Sequence, residues 1–401
     1  MDAREKGTFV ISRRAFLGSA ALGAVAVGAG ISGCGTRSAE AGRVAAVGGG
    51  LPLTVTNDTG KYPDSAIAMY VLGTDPATGR QGRVTKDGTF RPCELSDNGA
   101  DGYADYAIPL SGAAVALPKM SGRVYYSVGD RLRLKVVVDG NGAPALQHPA
   151  GWVSSDPNYG ILHDWIEFTH NDAGMFCNTT MVDMFSVPLA IRLTGARTQT
   201  AGTLAHGGRD KIFAAVAARP EFAKLIVGDG LRVVAPGHGI DAGLFSADYY
   251  DPYVDAVWSK YERSSLRVTT DAGTLTGRVG GDGLTFTGGS KAPAAIAKPS
   301  TRDVLFCDGA LAAPNDGVTG PVAAILGAAF NRSTLLANAA QPATDPSGFY
   351  EEAVTNHYAR AMHANSEDAK AYGFAFDDVA GFASYIQDTA PSSIHVTLTP
   401  F

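Results

Sequence analysis

Cysteine is scarce in this chain: there are four among 401 residues, and their spacing matches no zinc-binding pattern. No metal centre is expected. Dense Lys/Arg clusters are missing beyond the N-terminal segment, and the net charge is −6. That combination argues against nucleic acid as the partner and suits a neutral ligand such as a polysaccharide. Long polar tracts and internal repeats are also absent. What is there reads as a globular protein: 45% of residues are apolar and 18% charged. The length allows two domains, or one large domain with an insertion. Forty-nine glycines fit a loop-rich β protein.

The N-terminus reads as an address. Arg13 and Arg14 precede an apolar run from Ala15 to Ile31 that is rich in Ala and Gly, which resembles a twin-arginine export signal. Ile31-Ser32-Gly33-Cys34 resembles a lipobox, in which Cys34 becomes a lipidated N-terminus and anchors the protein to the outer face of a bacterial membrane. An ordinary secretory signal with an incidental Cys34, or an uncleaved anchor, fits the same residues. Residues 1–34 are thus assigned to export and 35–50 to a flexible tether. Export permits one disulfide among Cys93, Cys177 and Cys307; a small buried role for Cys177 is the alternative.

From Leu51 the chain alternates as strands do: Leu51–Asn57, Ile67–Gly73, Gly122–Val128, Leu132–Val138, Asp164–Thr169 and Val187–Leu193. Asp139-Gly140-Asn141-Gly142 is a turn signal. Short strands at this spacing predict a sandwich or barrel over 51–200. A mixed α/β domain is predicted over 201–389. Its helices begin near Asp210, read as an N-cap, and near Pro220, and cover Tyr250–Arg263, Pro321–Leu336 and Tyr350–Met362. Strands are read at Leu231–Ala235, Leu266–Thr270 and Leu284–Thr287. A last strand within 390–401 returns to the N-terminal sheet.

The stretch from His163 to Leu189 carries the candidate chemistry. Glu167 stands in a strand-like run and Asp183 sixteen residues later. Ile166, Phe168 and Val182 are apolar neighbours able to shield these acids. Thr169, Asn171, Asn178, Thr179 and Thr180 offer neutral hydrogen-bonding groups, while Trp165, Phe176 and Phe185 offer rings. Two carboxyls among amides, hydroxyls and aromatics are what sugar cleavage needs: one holds a proton for the leaving oxygen, the other stays ionised. Solvated or capping carboxylates explain most such residues equally well.

The run Asp164-Trp165-Ile166-Glu167-Phe168-Thr169, followed by Asn178-Thr179-Thr180 and Val182-Asp183-Met184-Phe185, resembles β-1,3-glucanases of glycoside hydrolase family 64. Asp183–Pro188 is similar to an element of thaumatin-like proteins. Pro236–Ile240, Tyr250–Trp258, Phe330–Arg332, Asn356–Ala359 and Tyr372–Asp378 extend the likeness in order, from Leu51 to Phe401. The resemblance implies a mainly β, thaumatin-like sandwich or barrel plus a mixed α/β domain, with a wide groove between them. It implies an exported inverting hydrolase, Glu167 as general acid and Asp183 as general base, that cuts β-1,3-glucan into short laminari-oligosaccharides such as the pentaose. It implies no metal and no cofactor, and a monomer that meets the membrane only through its lipid anchor. Thr169, Asn171, Phe176, Asn178, Thr180, His238 and Tyr250 are expected to bind substrate, with Tyr249 and Tyr253 as further lining. His170 and Phe176 depart from the family's usual aromatics. Asp251 reads as a helix N-cap in preference to a sugar ligand, Asp377 and Asp378 as turn residues, and Lys119, Arg123 and Arg131, which could reach the groove, as solvated surface. The competing reading is a non-catalytic glucan-binding lipoprotein on the same scaffold.

Overall fold

The computed structural model describes residues 50–111, 114–289 and 291–401. The export signal, the lipobox with Cys34 and the tether up to residue 49 lie outside the described residues. Among the described residues no helix is long and apolar enough to cross a membrane.

Period-two alternation builds two sheets that face each other. The five-stranded sheet runs in the order Thr198–Ala201, Leu189–Thr194, Ser393–Leu398, Leu51–Asn57, Ala114–Leu117. The chain's last strand thus lies parallel beside its first, with Leu53 opposite Ile394 and Val55 opposite Val396. The larger sheet runs Tyr385–Asp388, Gly174–Thr179, Leu162–Asn171, Met120–Val128, Ile67–Thr74, Gln81–Val84, Phe90–Pro92, with Ile108–Pro109 also on Ile67–Thr74. Leu53, Ile191, Ile394 and Val396 from the first sheet pack on Met69, Val71, Val124, Tyr126, Ile166, Phe168, Met175 and Cys177 from the second. This is a mainly β body with a sandwiched core.

The outer face of the larger sheet is covered in part by a hairpin, Lys135–Val138 with Pro144–Gln147, closed by the Asp139 turn. Leu132, Leu134, Val136 and Leu146 pack there on Tyr70, Tyr125 and Trp165. The rest of the chain forms an α/β part with its own core, which includes Met181 and Phe185. Its four-stranded sheet contains Gly273–Gly280, a strand the sequence conceals behind three glycines.

Several boundaries differ from the sequence-based expectation. The helix predicted to end at Leu336 covers Thr319–Asn331, because Ser333 adopts a left-handed conformation at φ +53°. The helix expected from Tyr350 spans His357–Ala364; it starts where Asn356 caps the N–H of Ala359. Gly207, not Asp210, precedes the helix Gly208–Ala217. Asp251 lies inside its helix, Asp251–Arg263, with Tyr250 at the cap position. Cys93, Cys177 and Cys307 are all buried, in three separate clusters, so no pair among them is bridged.

Candidate active site

Alternation decides which side chains meet outside the sandwich. On Leu162–Asn171, Ile166 and Phe168 point into the core. Trp165, Glu167 and Thr169 therefore share the outer face. Ile166 and Phe168 cannot shield Glu167 as expected, because successive residues of a strand face opposite ways. In register, Glu167 lies between Arg123 on one neighbouring strand and Asn178 on the other. Ser121, Thr169, Phe176, Asn178 and Tyr385 complete a depression around Glu167.

Asp183 reaches the same place from the loop before the short strand Met184–Phe185, which pairs with Arg232–Val234 of the α/β part. Its carbonyl accepts the Ala235 N–H at 3.0 Å. Arg123 links the two acids. Its Nε and Nη2 lie 3.0 and 2.9 Å from Glu167 Oε1, and Nη2 lies 3.9 Å from Asp183 Oδ2. These reaches from one nitrogen place the two carboxylate oxygens no more than about 7 Å apart. Burial alone would disfavour the charge on Arg123, but Tyr125, Glu167 and Asp183 more than offset it, so its pKa is raised and the guanidinium stays cationic. The guanidinium also lies 4.8 Å from the Trp165 ring, and its Nη1 donates to Tyr125 Oη at 3.3 Å.

The other oxygen of Asp183 is held by His238, with Nε2 2.8 Å from Oδ1. His238 belongs to the short helix Pro236–Asp241; its ring stacks on Trp152 at 4.6 Å and meets Phe306 edge-on at 5.2 Å. The arrangement is a pair of carboxylates, one cation between them, and an imidazole packed between aromatic rings. One guanidinium balances one carboxylate. A single proton on the pair then brings the trio to neutrality, the charge state in which one carboxyl donates and the other accepts.

Residues 49–398 match the sequence profile of glycoside hydrolase family 64, beta-1,3-glucanase. The chain belongs to that family. A glucan endo-1,3-beta-glucosidase of Arthrobacter sp. (strain YCWD3) is 37% identical over 367 residues, which cover 88% of this chain and 65% of that protein. The protein of the same name from Cellulosimicrobium cellulans is 37% identical over 372 residues, with the same coverage. The chain therefore spans slightly less than two thirds of the length of these curated relatives. A laminaripentaose-producing beta-1,3-glucanase, solved in complex with laminaritetraose, superposes with a TM-score of 0.80 at 39% identity, covering 88% of this chain and 99% of that one. A beta-1,3-glucanase domain from Clostridium beijerinckii gives 0.80 at 31% identity, covering 88% and 98%.

Within this family 64 chain the expected binding residues fall into four groups. Thr169, Phe176 and Asn178 surround Glu167; Thr169 Oγ1 lies 2.8 Å from Ser121 Oγ. His238 sits on Asp183. Asn171 and Thr180 use their side chains locally: Asn171 Oδ1 accepts from Ala173 N–H in its hairpin turn, and Thr180 Oγ1 from Val182 N–H. His170 stands outside the cluster with Nδ1 3.1 Å from the Pro118 carbonyl. Tyr250 is a correction. It is 0% exposed, so its ring is core of the α/β part and has no face to offer a sugar. Tyr253 is likewise buried, and the half-buried Tyr249 donates its hydroxyl to the Thr355 carbonyl.

Sequence reasoning missed Trp152 and Tyr385, and it favoured the solvated surface for Arg123 over a reach into the groove. Lys119 and Arg131 do form exposed ion pairs, with Asp172 and Asp105. Arg123 differs because alternation with the core residues Val124 and Tyr126 puts it on the same face as Tyr125, and strand pairing puts it opposite Glu167. The alternation was visible in the sequence; the pairing was not.

Proposed function

We propose that this chain hydrolyses β-1,3-glucan with inversion, Glu167 acting as general acid and Asp183 as general base. The observation that carries the reading is the convergence of these two carboxylates, one from a strand and one from a loop, on the single cation of Arg123. Family membership and the names of the relatives supply the substrate. Asp183, held by His238 and Arg123, takes a proton from a water that attacks the anomeric carbon. Glu167 gives its proton to the glycosidic oxygen as the C–O bond breaks. One product ends in a hemiacetal of inverted configuration and the other in a free hydroxyl. Thr169, Phe176 and Asn178 bind the sugar beside Glu167. We further read the body as thaumatin-like, with a wide groove for the glucan, the product as laminaripentaose, and the working form as a monomer. Export by the twin-arginine route, with lipidation at Cys34, puts the enzyme on the outer membrane face.

One observation favours a binding-only protein. Arg123 donates its Nε–H to Glu167 at 3.0 Å and brings Nη2 within 2.9 Å of the same oxygen, yet Glu167 is the carboxyl that must hold a proton. Both readings meet in one experiment: the protein is incubated with laminarin or curdlan, and the anomers of the products are followed by NMR, beside Glu167→Gln and Asp183→Asn. Initial α-anomer that both substitutions abolish is the expected result. Glucan binding without hydrolysis would replace it with the binding-only reading, and initial β-anomer would overturn the inverting assignment.

A further inference from the structure

Beneath Glu167 and Asp183 lies a layer of buried charge that the chemistry above leaves unused. Asp164 stands three residues before Glu167 on the same strand and is buried. Its Oδ2 accepts the N–H groups of Ser186 and Val187 at 2.8 and 3.2 Å, and its Oδ1 accepts the N–H of Trp165 at 3.0 Å. The Ser186 hydroxyl lies 3.4 Å from the same Oδ2 and donates to the His163 carbonyl at 2.5 Å. Ser186 in turn stands three residues after Asp183. The segment from Asp183 to Val187 is therefore held at both ends: Ala235 N–H binds the Asp183 carbonyl from the α/β part, and Asp164 binds Ser186 and Val187 from the strand of Glu167.

Arg232 braces the same layer. It is fully buried, and its guanidinium donates to the carbonyls of Gly151 and Ile161, both at 2.5 Å. A Cβ at Gly151 would overlap Nη1 of Arg232, so this approach requires glycine there. Gly151 precedes Trp152, the ring under His238. Burial pushes the Asp164 pKa up, to about 7, while the N–H groups of Ser186, Trp165 and Val187 and the charge of Arg232 favour the carboxylate form, which prevails above that pH.

We propose that Asp164 is a positioning residue for hydrolysis: its carboxylate sets the separation of Glu167 and Asp183 by tying the strand of one to the loop of the other. This rests on the acid and base roles assigned above. Three N–H donors converge on two oxygens, which only a carboxylate satisfies without a clash of donors. Asparagine keeps one oxygen: set on Ser186 and Val187 it turns its amide against the Trp165 N–H, and set on Trp165 it turns the amide against the loop, so either way a donor faces a donor and the tie between strand and loop is distorted.

The test compares Asp164→Asn with wild type, Asp183→Ala and Glu167→Gln on laminarin, using circular dichroism to establish folding. The expected result is a kcat lowered roughly ten- to a hundred-fold with KM within about two-fold, because a misplaced base weakens the chemical step and leaves sugar contacts intact. Sodium azide, which replaces the activated water, is expected to restore part of the rate in Asp164→Asn as in Asp183→Ala; loss of fold alone would give no such rescue. A folded Asp164→Asn protein with kcat within about three-fold of wild type overturns the proposal, as does a parallel change in KM without rescue. If Asp164→Asn does not fold, Asp164→Glu decides, because it keeps the carboxylate and lengthens the tie by one methylene: a several-fold lower kcat at constant KM supports the tie, and an unchanged kcat removes it. Full activity in both Asp183→Ala and Glu167→Gln would instead sink the acid and base reading itself.

Discussion

At the scale of single residues, the site depends on how one cation is shared. Arg123 contacts Glu167 through two nitrogens and reaches Asp183 with one of them. A planar guanidinium does this with a fixed fork of N–H donors spread over three nitrogens, whereas a lysine ammonium is a compact charge on a flexible stem that cannot reproduce the fork. Arg123→Met is expected to lower kcat on laminarin by on the order of 100-fold or more, as for removal of one preorganised electrostatic group, with a smaller change in KM. Arg123→Lys should fall between it and wild type. Steady-state kinetics on folded protein check this, and a kcat for Arg123→Met close to wild type would mean that the guanidinium only fills space. Glu167 and Asp183 stood out in the sequence because a known motif surrounds them. Nothing local marked Arg123 or Trp152, since their roles arise from strand pairing and from a contact across 86 positions of chain. Tyr250 failed as a ligand for the opposite reason: a tyrosine beside a helix start looks the same whether its ring turns outward or, as here, into the core.

At the scale of elements, strands that alternate were legible almost to the residue. Leu51–Asn57 and Leu266–Thr270 carry one apolar face each, and their limits agree with the expectation. Helix ends were less legible because they are set by caps and left-handed residues such as Ser333, which composition does not reveal. Gly273–Gly280 escaped because glycine carries no pattern. The strand Leu162–Asn171 is unusual in that its first five residues are all buried, which places two neighbouring titratable groups away from water. Burial, with Arg232 nearby, lowers the pKa of His163 to about 3, against the carbonyl of Ile161. Burial raises that of Asp164 to about 7, against the N–H groups of Ser186, Trp165 and Val187 and the charge of Arg232. The signs oppose. His163 contributes stability that is present above about pH 6.5 and lost as pH falls toward its folded value. Asp164 contributes stability that is present below about pH 4 and lost as pH rises toward 7. Between about pH 4 and 6.5 the two slopes cancel. Removing one neighbour exposes the other, so His163→Asn should gain stability relative to wild type as pH falls through that window, by up to about 1.4 kcal/mol per pH unit. Melting temperatures of both proteins at pH 6.5, 5.5 and 4.5 check the slope; a constant difference would show that His163 takes up its proton in the folded protein.

At the scale of the whole molecule, the candidate site lies on a seam. The chain leaves the β body after Ala201 and returns by the strand Tyr385–Asp388. Asp183 sits where the α/β part grips the segment between two β-body strands, Gly174–Thr179 and Leu189–Thr194: Tyr358 Oη donates to the Met181 carbonyl, Met181 N–H to the Tyr372 carbonyl, and Arg209 Nε to the Ser186 carbonyl. The returning segment is pinned in turn by Asp377, which the sequence suggested was a turn residue and which is fully buried. Its carboxylate takes Arg332 Nη2 at 3.0 Å, His363 Nε2 at 2.8 Å and Gly373 N–H at 2.9 Å, while Phe349, Phe374 and Phe382 enclose the guanidinium. Burial alone would raise the Asp377 pKa; His363, Arg332 and the Gly373 N–H outweigh it and hold it below the usual carboxylate range. A group with a lowered folded pKa contributes stability that is present above its unfolded value, near pH 4, and lost as pH falls through the folded one. Asp377→Leu leaves Arg332 charged, buried and short of its partner, which is expected to cost about 3–5 kcal/mol. That is a large part of the roughly 5–15 kcal/mol that holds a typical domain folded. The deficit should narrow in acid, because wild type then loses the same carboxylate. Since the pinned segment carries Tyr372, which holds Met181, two residues from Asp183, hydrolysis of laminarin should be lost on warming together with the α/β part. Heating wild type and Asp377→Leu in parallel, with activity and circular dichroism read at each temperature, tests that coupling: coincident midpoints place the seam and the site in one cooperative unit, and activity that outlasts the α/β part would separate them.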